Sequence, residues 1–113
     1  MNEKERMALV KLMPCVACTI DGVMSVGGPT EVHHCNLGGK AGQKRRGDWF
    51  TLPLCRWHHQ GIPKDGMSSM QAEARFGPSL KFKSKRFRER YGSDQVLLER
   101  TNEMLGTRLP EDS

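Results

Sequence analysis

Residues 54–61 read LCRWHHQG, which places one cysteine and two neighbouring histidines at the start of a predicted helix. Two residues separate Cys55 from His58, and this spacing lets both side chains reach one tetrahedral metal ion. Cys15 and Cys18 form an earlier pair with the same spacing. Because two such pairs complete a four-coordinate site, the sequence predicts a structural zinc ion. Its predicted ligands are Cys15, Cys18, Cys55 and His58.

Two residues near this predicted site have alternative roles. His59 directly follows His58, so either imidazole could be the zinc ligand, and a helix start that turns them to different sides favours separate roles. Cys35 either replaces one of the four ligands or is simply buried. The alternative for the whole pattern is a set of unrelated buried thiols with a surface histidine. The matched spacing of the two pairs disfavours it.

The interval between the two pairs is long enough to hold a folded ββ unit. Residues 30–35 predict a strand, because β-branched threonine and valine lead the segment. Residues 38–47 are basic and rich in glycine, which predicts a loop. Residues 48–54 predict a second strand, in which Pro53 indicates an edge position or a strand end. With the helix that begins at Cys55, the pattern predicts a ββα unit.

Further helices are predicted outside this unit, over residues 2–13, from 68 or 69 to 77, and over 94–105. Their predicted N-caps are Asn2, Ser68 and Ser93. The first helix has a predicted apolar face of Ala8, Leu9, Leu12 and Met13, and the last has one of Leu97, Thr101, Met104 and Leu105. Residues 14–29 predict a loop. The aromatic residues expected in the core are Trp49, Trp57, Phe82, Phe87 and Tyr91.

The charge balance favours a polyanionic partner. Lysine and arginine number 18 against 13 aspartate and glutamate residues, for a formal net charge of +5. The basic residues of the 38–47 loop are the predicted contacts to DNA phosphates: Lys40, Lys44, Arg45 and Arg46. A second basic run over residues 80–91 is compatible with phosphate contact and equally with a face that is simply solvated. With no signal peptide and no apolar run of about 20 residues, we expect a cytoplasmic protein with no membrane partner.

A second group of polar residues surrounds the basic loop: His33, His34, Asp48 and His59. In these residues the sequence resembles the HNH (ββα-metal) endonucleases, whose motif runs strand, basic loop, strand, helix. The family usually has asparagine where this chain has Asp48. The resemblance implies that His34 is the general base, and that His33 and His59 hold a catalytic divalent cation (Mg²⁺, Mn²⁺ or Zn²⁺). It also implies that Asp48 contributes to catalysis by pinning the loop.

A narrower resemblance rests on residues 13–18 (MPCVAC), 31–34 (EVHH) and 54–61 (LCRWHHQG). These segments are similar to the recombination enhancement function (Ref) nucleases of temperate phages, and the likeness covers residues 7–105. It implies a nuclease that cuts DNA where a RecA filament has formed, in the host cytoplasm. The expected architecture is an α+β domain over residues 1–108, a zinc-stabilised ββα-metal core with additional wrapping helices. Residues 109–113 are expected to be a disordered tail.

Three classes of function compete. The first is a metal-dependent DNA endonuclease, which by the HNH resemblance leaves 5′ phosphate and 3′ hydroxyl ends. The second is a non-catalytic zinc module that binds DNA or a protein. It explains the cysteines and the charge but leaves His33, His34 and His59 without a role. The third, a thiol redox protein, is disfavoured because Cys15 and Cys18 do not follow a strand and open a helix in a βαβ unit.

Overall fold

The computed structural model describes residues 1–24, 30–35 and 49–106. Within these ranges the chain forms six helices and one antiparallel two-stranded sheet, which confirms the predicted α+β class. The helices are α1 (Glu3–Val10), α2 (Val16–Ile20), α3 (Arg56–Gln60), α4 (Ser69–Phe76), α5 (Ser84–Tyr91) and α6 (Asp94–Leu105). The strands are β1 (Glu31–His34) and β2 (Thr51–Leu54). No helix in the described ranges is long and apolar enough to cross a membrane.

The two-stranded sheet is the element on which most of the helices pack. Glu31 pairs with Leu54 and His34 pairs with Thr51, and α3 begins directly after β2. The order strand, strand, helix is therefore as predicted. All residues of β2 are buried, because α1, α2, α3 and α6 all pack on this strand. Pro53 is compatible with this position, since each strand of a two-stranded sheet has a free edge.

The first helix has its predicted cap but not its predicted buried face. Asn2 and Glu5 form a reciprocal capping box. Residues Ala8, Leu9 and Leu12 of the predicted apolar face are exposed, so that prediction is wrong. The helix buries Arg6 and Val10 instead. Arg6 is inward-facing because its guanidinium donates hydrogen bonds to acceptors on β2 and α6.

Helix α2 corrects the prediction that residues 14–29 form only a loop. It spans five residues and is capped by Cys15, whose Sγ accepts a hydrogen bond from the backbone N–H of Cys18. A helix this short has little intrinsic stability. Its formation therefore depends on this cap and on burial of residues 15–18, which sequence periodicity does not report.

Helices α4 and α6 follow the prediction, whereas α5 forms within the basic run over residues 80–91, where no helix was predicted. Ser68 forms a capping box with Gln71, and Ser93 caps α6. Among the aromatic residues, Trp57, Phe87 and Tyr91 are buried as predicted and Trp49 is half-buried. The prediction for Phe82 is wrong, because its side chain is 62% exposed. It lies in the segment before α5, where it covers the surface of Gly61 rather than entering the core.

Several predictions fall outside the described residues. They concern Asp48, the 38–47 loop and the 109–113 tail, together with the predicted DNA contacts Lys40, Lys44, Arg45 and Arg46.

Candidate zinc centre and histidine pair

Two similar turns bring the four predicted zinc ligands together. Cys15 is the N-cap of α2, and its Sγ accepts from Cys18 N at 3.4 Å. Cys55 is the N-cap of α3, and its Sγ accepts from His58 N at 3.4 Å. In each turn the first ligand occupies the N-cap and the second lies three residues later. Both side chains therefore project from one helix end towards the same point.

The distances between the ligand atoms fit a tetrahedral zinc ion. Nδ1 of His58 lies 3.6 Å from Cys15 Sγ, 3.5 Å from Cys18 Sγ and 3.2 Å from Cys55 Sγ. The Sγ atoms of Cys18 and Cys55 are 3.9 Å apart. Zinc bonded to sulfur at about 2.3 Å and to nitrogen at about 2.0 Å has tetrahedral edges of roughly 3.8 Å and 3.5 Å. The cluster is fully buried and could hold a structural metal ion such as zinc.

Hydrogen bonds fix the ring of His58 in the orientation that a ligand needs. Its Nε2 lies 2.9 Å from the carbonyl oxygen of Phe76 and 3.1 Å from the hydroxyl of Tyr91. The Tyr91 hydroxyl in turn donates to Asp21 Oδ2 at 2.7 Å. With its proton on Nε2, the ring presents the lone pair of Nδ1 to the three sulfurs, as metal-bound imidazoles usually do.

The pKa values of the clustered cysteines are shifted because several thiols are buried together. Burial, followed by hydrogen bonds from Cys18 and Cys55, raises the pKa of Cys15 far above its usual range. Hydrogen bonds from Cys15 and Cys18 lower the pKa of Cys55, although burial acts against its ionisation. A bound cation would stabilise the remaining thiols as thiolates, so metal binding and folding are expected to be coupled.

The fourth cysteine lies outside this cluster. Cys35 is 8% exposed and follows β1, where its backbone N–H donates to Phe50 O. Burial, with a further contribution from Asp94, raises the pKa of its thiol to about 12. Of the two alternatives for Cys35, the structure supports the buried thiol, because the four-residue ligand group does not include it.

A buried carboxylate orients His33. The Nε2 atom of His33 lies 3.2 Å from each carboxylate oxygen of Asp94. Asp94 is the first residue of α6, and Arg88 Nη2 lies 2.8 Å from its Oδ1. The positive end of the helix and the guanidinium both favour the ionised carboxylate. An ionised Asp94 in turn holds the proton of His33 on Nε2, which leaves Nδ1 as the lone-pair nitrogen.

A second carboxylate orients His59 in the same way. The Nδ1 atom of His59 lies 2.9 Å from Glu31 Oε1, and the amide of Gln60 donates to both Glu31 oxygens at 2.7 Å. Burial acts against ionisation of Glu31. The hydrogen bonds from Gln60 and His59 outweigh burial and lower the pKa of the carboxyl. The proton of His59 is therefore held on Nδ1, and Nε2 carries the lone pair.

The two oriented histidines lie against each other. The ring centroids of His33 and His59 are 5.4 Å apart, with an edge-to-face angle of 79°. Imidazoles whose second nitrogen is bound by a carboxylate are the usual form of histidine metal ligands. Within the described residues, however, the cysteine cluster is the only group of three or more Cys, His, Asp and Glu ligand atoms able to hold one ion. The histidine pair supplies two donor atoms.

His34 lies on the opposite side of β1 from His33. Successive strand residues point to opposite faces, and here His33 is half-buried against Asp94 while His34 is exposed. The structure thus brings His33 and His59 together and places His58 in the cysteine cluster. Sequence reasoning missed the two orienting carboxylates. Glu31 shares a strand face with His33, a signal that alternation could have revealed, whereas Asp94 lies 61 positions away.

A family of known proteins matches almost the whole chain. Residues 1–106 match the model of the family described as recombination enhancement, RecA-dependent nuclease. No curated protein matches the chain. The match agrees with the narrower of the two resemblances found in the sequence. The chain therefore belongs to the family of RecA-dependent nucleases of recombination enhancement.

Proposed function

We propose that this protein is a metal-dependent DNA endonuclease of the HNH type that cuts DNA on which a RecA filament has formed. The observation that carries the proposal is the pair of facing histidines, His33 and His59, each oriented by its own carboxylate. A purely structural zinc module has no need of such a pair. The family supplies the nuclease activity and the dependence on RecA, and the pair supplies a place for the chemistry.

In this proposal His33 and His59 hold a divalent cation through the nitrogens that their carboxylates leave free. Asp94 and Glu31 do not touch the reacting atoms; they fix the tautomers and ring positions. Oxygen ligands from water or from the DNA phosphate would complete the coordination. The cation supplies positive charge at the phosphate and at the departing 3′ oxygen.

His34 is the proposed general base. It is exposed on the other face of β1 from His33, and the role comes to it from the resemblance to the HNH endonucleases. Histidine is the side chain that ordinarily titrates near neutral pH, which suits proton abstraction there. His34 takes a proton from the attacking water, and the water oxygen bonds to phosphorus as the P–O3′ bond breaks. The departing 3′ oxygen takes a proton from solvent, so the products carry a 5′ phosphate and a 3′ hydroxyl.

The zinc cluster has a structural role in this scheme. His58 belongs to the cluster and His59 to the histidine pair, so an ion bound to His58 would fix the helix that carries His59. Asp48 is proposed to pin the loop between the strands. The proposed contacts to the DNA backbone are Lys40, Lys44, Arg45 and Arg46. These assignments come from the family resemblance and from the basic character of that segment.

The experiment is cleavage of circular single-stranded DNA with Mg²⁺ or Mn²⁺, with and without RecA and ATP. Wild-type protein should cut only when RecA and a divalent cation are both present. His34→Ala should lower the cutting rate by about 10²–10⁴-fold, the usual contribution of a general base, and retain its zinc and its folded state. Cutting without RecA would contradict the RecA requirement. If the wild type does not cut under any condition, the non-catalytic zinc module becomes the better account.

A further inference from the structure

An exposed aromatic side chain lies within a run of lysines in the segment before α5. Phe82 is 62% exposed, although phenylalanine is one of the residue types most often buried in folded proteins. Lys81, Lys83 and Lys85 flank it and are also exposed. An apolar ring with several cations around it is the combination that single-stranded nucleic acid binds, through stacking of its bases and pairing of its phosphates.

This aromatic residue is held in place by the helix that carries His59. The backbone N–H of Leu80 donates to His58 O at 2.8 Å, and Phe82 N donates to Ser79 Oγ at 3.2 Å. The ring of Phe82 covers Gly61, so closely that a Cβ added at Gly61 would lie 2.3 Å from Cδ2 of the ring. The exposed ring is thus a fixed platform beside α3 rather than a loose side chain.

A groove opens next to the platform. Its volume is about 630 Å³, and Phe82, Met70, Ala74 and the edge of Trp57 contribute its apolar lining. Lys83 also lines the groove. This volume lies within the range of natural small-ligand sites, so the groove has room for a nucleobase.

The charges around the groove favour a polyanion over an acidic or apolar protein segment. Glu73 is the acidic residue of the lining, and Arg86 lies 3.5 Å from its carboxylate. The neighbouring lysines add to the net charge of +5 of the whole chain. A base is available to stack on an exposed ring only when it is not already stacked and paired in a duplex, which selects a single strand.

We infer that Phe82 and the lysines around it form a binding surface for single-stranded DNA, with one base stacked on the Phe82 ring. Phe82 and its neighbouring lysines are not among the residues of the histidine pair or of its orienting carboxylates. The biological meaning of this inference rests on the proposed function, because the surface would hold the DNA strand that the nuclease cuts. Binding of the strand can be measured without any cleavage.

The test measures binding of fluorescent oligothymidine of about 16 nucleotides, a typical single-strand site size, without RecA or added divalent cation. A strand of the same length without bases is measured in parallel. Phe82→Ala should weaken oligothymidine binding by roughly five- to hundredfold, the range of one base stacked on an aromatic ring, and leave the abasic strand unaffected. Lys83→Ala should weaken both strands alike. Leu12→Ala, at another exposed apolar residue, is the control and should change neither.

Phe82→Trp provides a second measurement that does not depend on loss of affinity. It should bind oligothymidine as the wild type does, and stacking should quench the fluorescence of the new indole. Equal binding of oligothymidine by wild type and Phe82→Ala would overturn the inference. The same holds if Phe82→Ala binds DNA normally and loses only RecA-dependent cutting, since the surface would then contact protein. Failure of the nuclease proposal gives a different pattern: binding as described here, but no cutting.

Discussion

His58 and His59 are neighbours in the chain, yet their Nδ1 atoms have different partners: Cys55 Sγ at 3.2 Å for His58 and Glu31 Oε1 at 2.9 Å for His59. The two rings leave α3 on different sides because successive helix residues are rotated by about 100°. One short helix therefore joins the buried cysteine cluster to the histidine pair. Disturbance of the cluster should reach the pair through α3.

Loss of the zinc site should unfold the protein. Cys18→Ser removes one of four ligands, and zinc binding contributes about 10–16 kcal/mol in small zinc domains, as much as the entire stability of a typical domain. We expect about one zinc per chain in the wild type and none in the variant, with loss of the cooperative thermal transition. A strong chelator should act on the wild type in the same way.

Cys35→Ser is the matched control for this prediction. Cys35 is also a buried thiol but lies outside the four-ligand cluster. It should retain zinc and lose only about 1 kcal/mol of stability, the usual effect of a single substitution. Zinc loss from Cys35→Ser but not from Cys18→Ser would show that the ligand set is wrong.

Replacement of the carboxylate behind His33 should impair cutting without loss of zinc. Asp94→Asn keeps the size of the side chain but removes the charge that holds the proton on Nε2 of His33. Loss of such an orienting partner typically costs about 10–100-fold in metal affinity or activity. The measurement is the cutting rate as a function of Mn²⁺ concentration, and the concentration for half-maximal rate should rise. Gln95→Ala, on the next residue and exposed, is the control; an equal effect there would count against the orienting role.

The buried arginine of α1 should contribute substantially to the free energy of unfolding. Arg6 is fully buried, and it donates to Asn102 Oδ1, Thr51 Oγ1 and Thr51 O. Lysine cannot reproduce this fork of donors, so Arg6→Lys should lower the free energy of unfolding by about 2 kcal/mol. Urea unfolding measures it. Lys4→Ala on the exposed side of α1 should stay within about 0.5 kcal/mol. If Arg6→Lys leaves the free energy of unfolding unchanged, the hydrogen bonds of Arg6 contribute little to stability.

Gly61→Ala should destabilise more than alanine at another left-handed glycine. Gly61 and Gly66 have φ values of +69° and +86°, so each substitution carries a backbone cost of about 1–2 kcal/mol. Only at Gly61 does the new Cβ also meet the Phe82 ring. The extra loss should disappear in a Phe82→Ala background, as thermal unfolding of the four combinations would show. Equal losses at the two glycines in the wild-type background would contradict the contact.

The sequence predicts well where a short segment determines the structure by itself. The spacing within the Cys15–Cys18 and Cys55–His58 pairs was sufficient to find the cluster, because each pair lies within one helical turn. Capping residues such as Ser68 and Ser93 were found for the same reason. The ββα order followed from the change of pattern between residues 30 and 60.

The features that were missed depend on contacts between distant segments. Asp94 gives no sign in the sequence that it faces His33, because the strand and α6 meet only in the folded chain. The apolar pattern of α1 was misleading, since buried acceptors on β2 and α6 make the interior a favourable place for Arg6. The roughly helical spacing of Phe82 with Phe87 and Tyr91 predicted a core position, whereas its contact with Gly61 holds it at the surface.

The most direct test of the central claim is the cutting of RecA-coated circular single-stranded DNA by His59→Ala, at equal zinc content with the wild type. His59 belongs to the histidine pair and not to the cysteine cluster, so the variant should keep its zinc and its fold. If the pair is the catalytic site, the cutting rate should fall by about 10³-fold or more, as expected when several kcal/mol of transition-state stabilisation are lost. Cutting at the wild-type rate by a folded, zinc-loaded His59→Ala would contradict the claim.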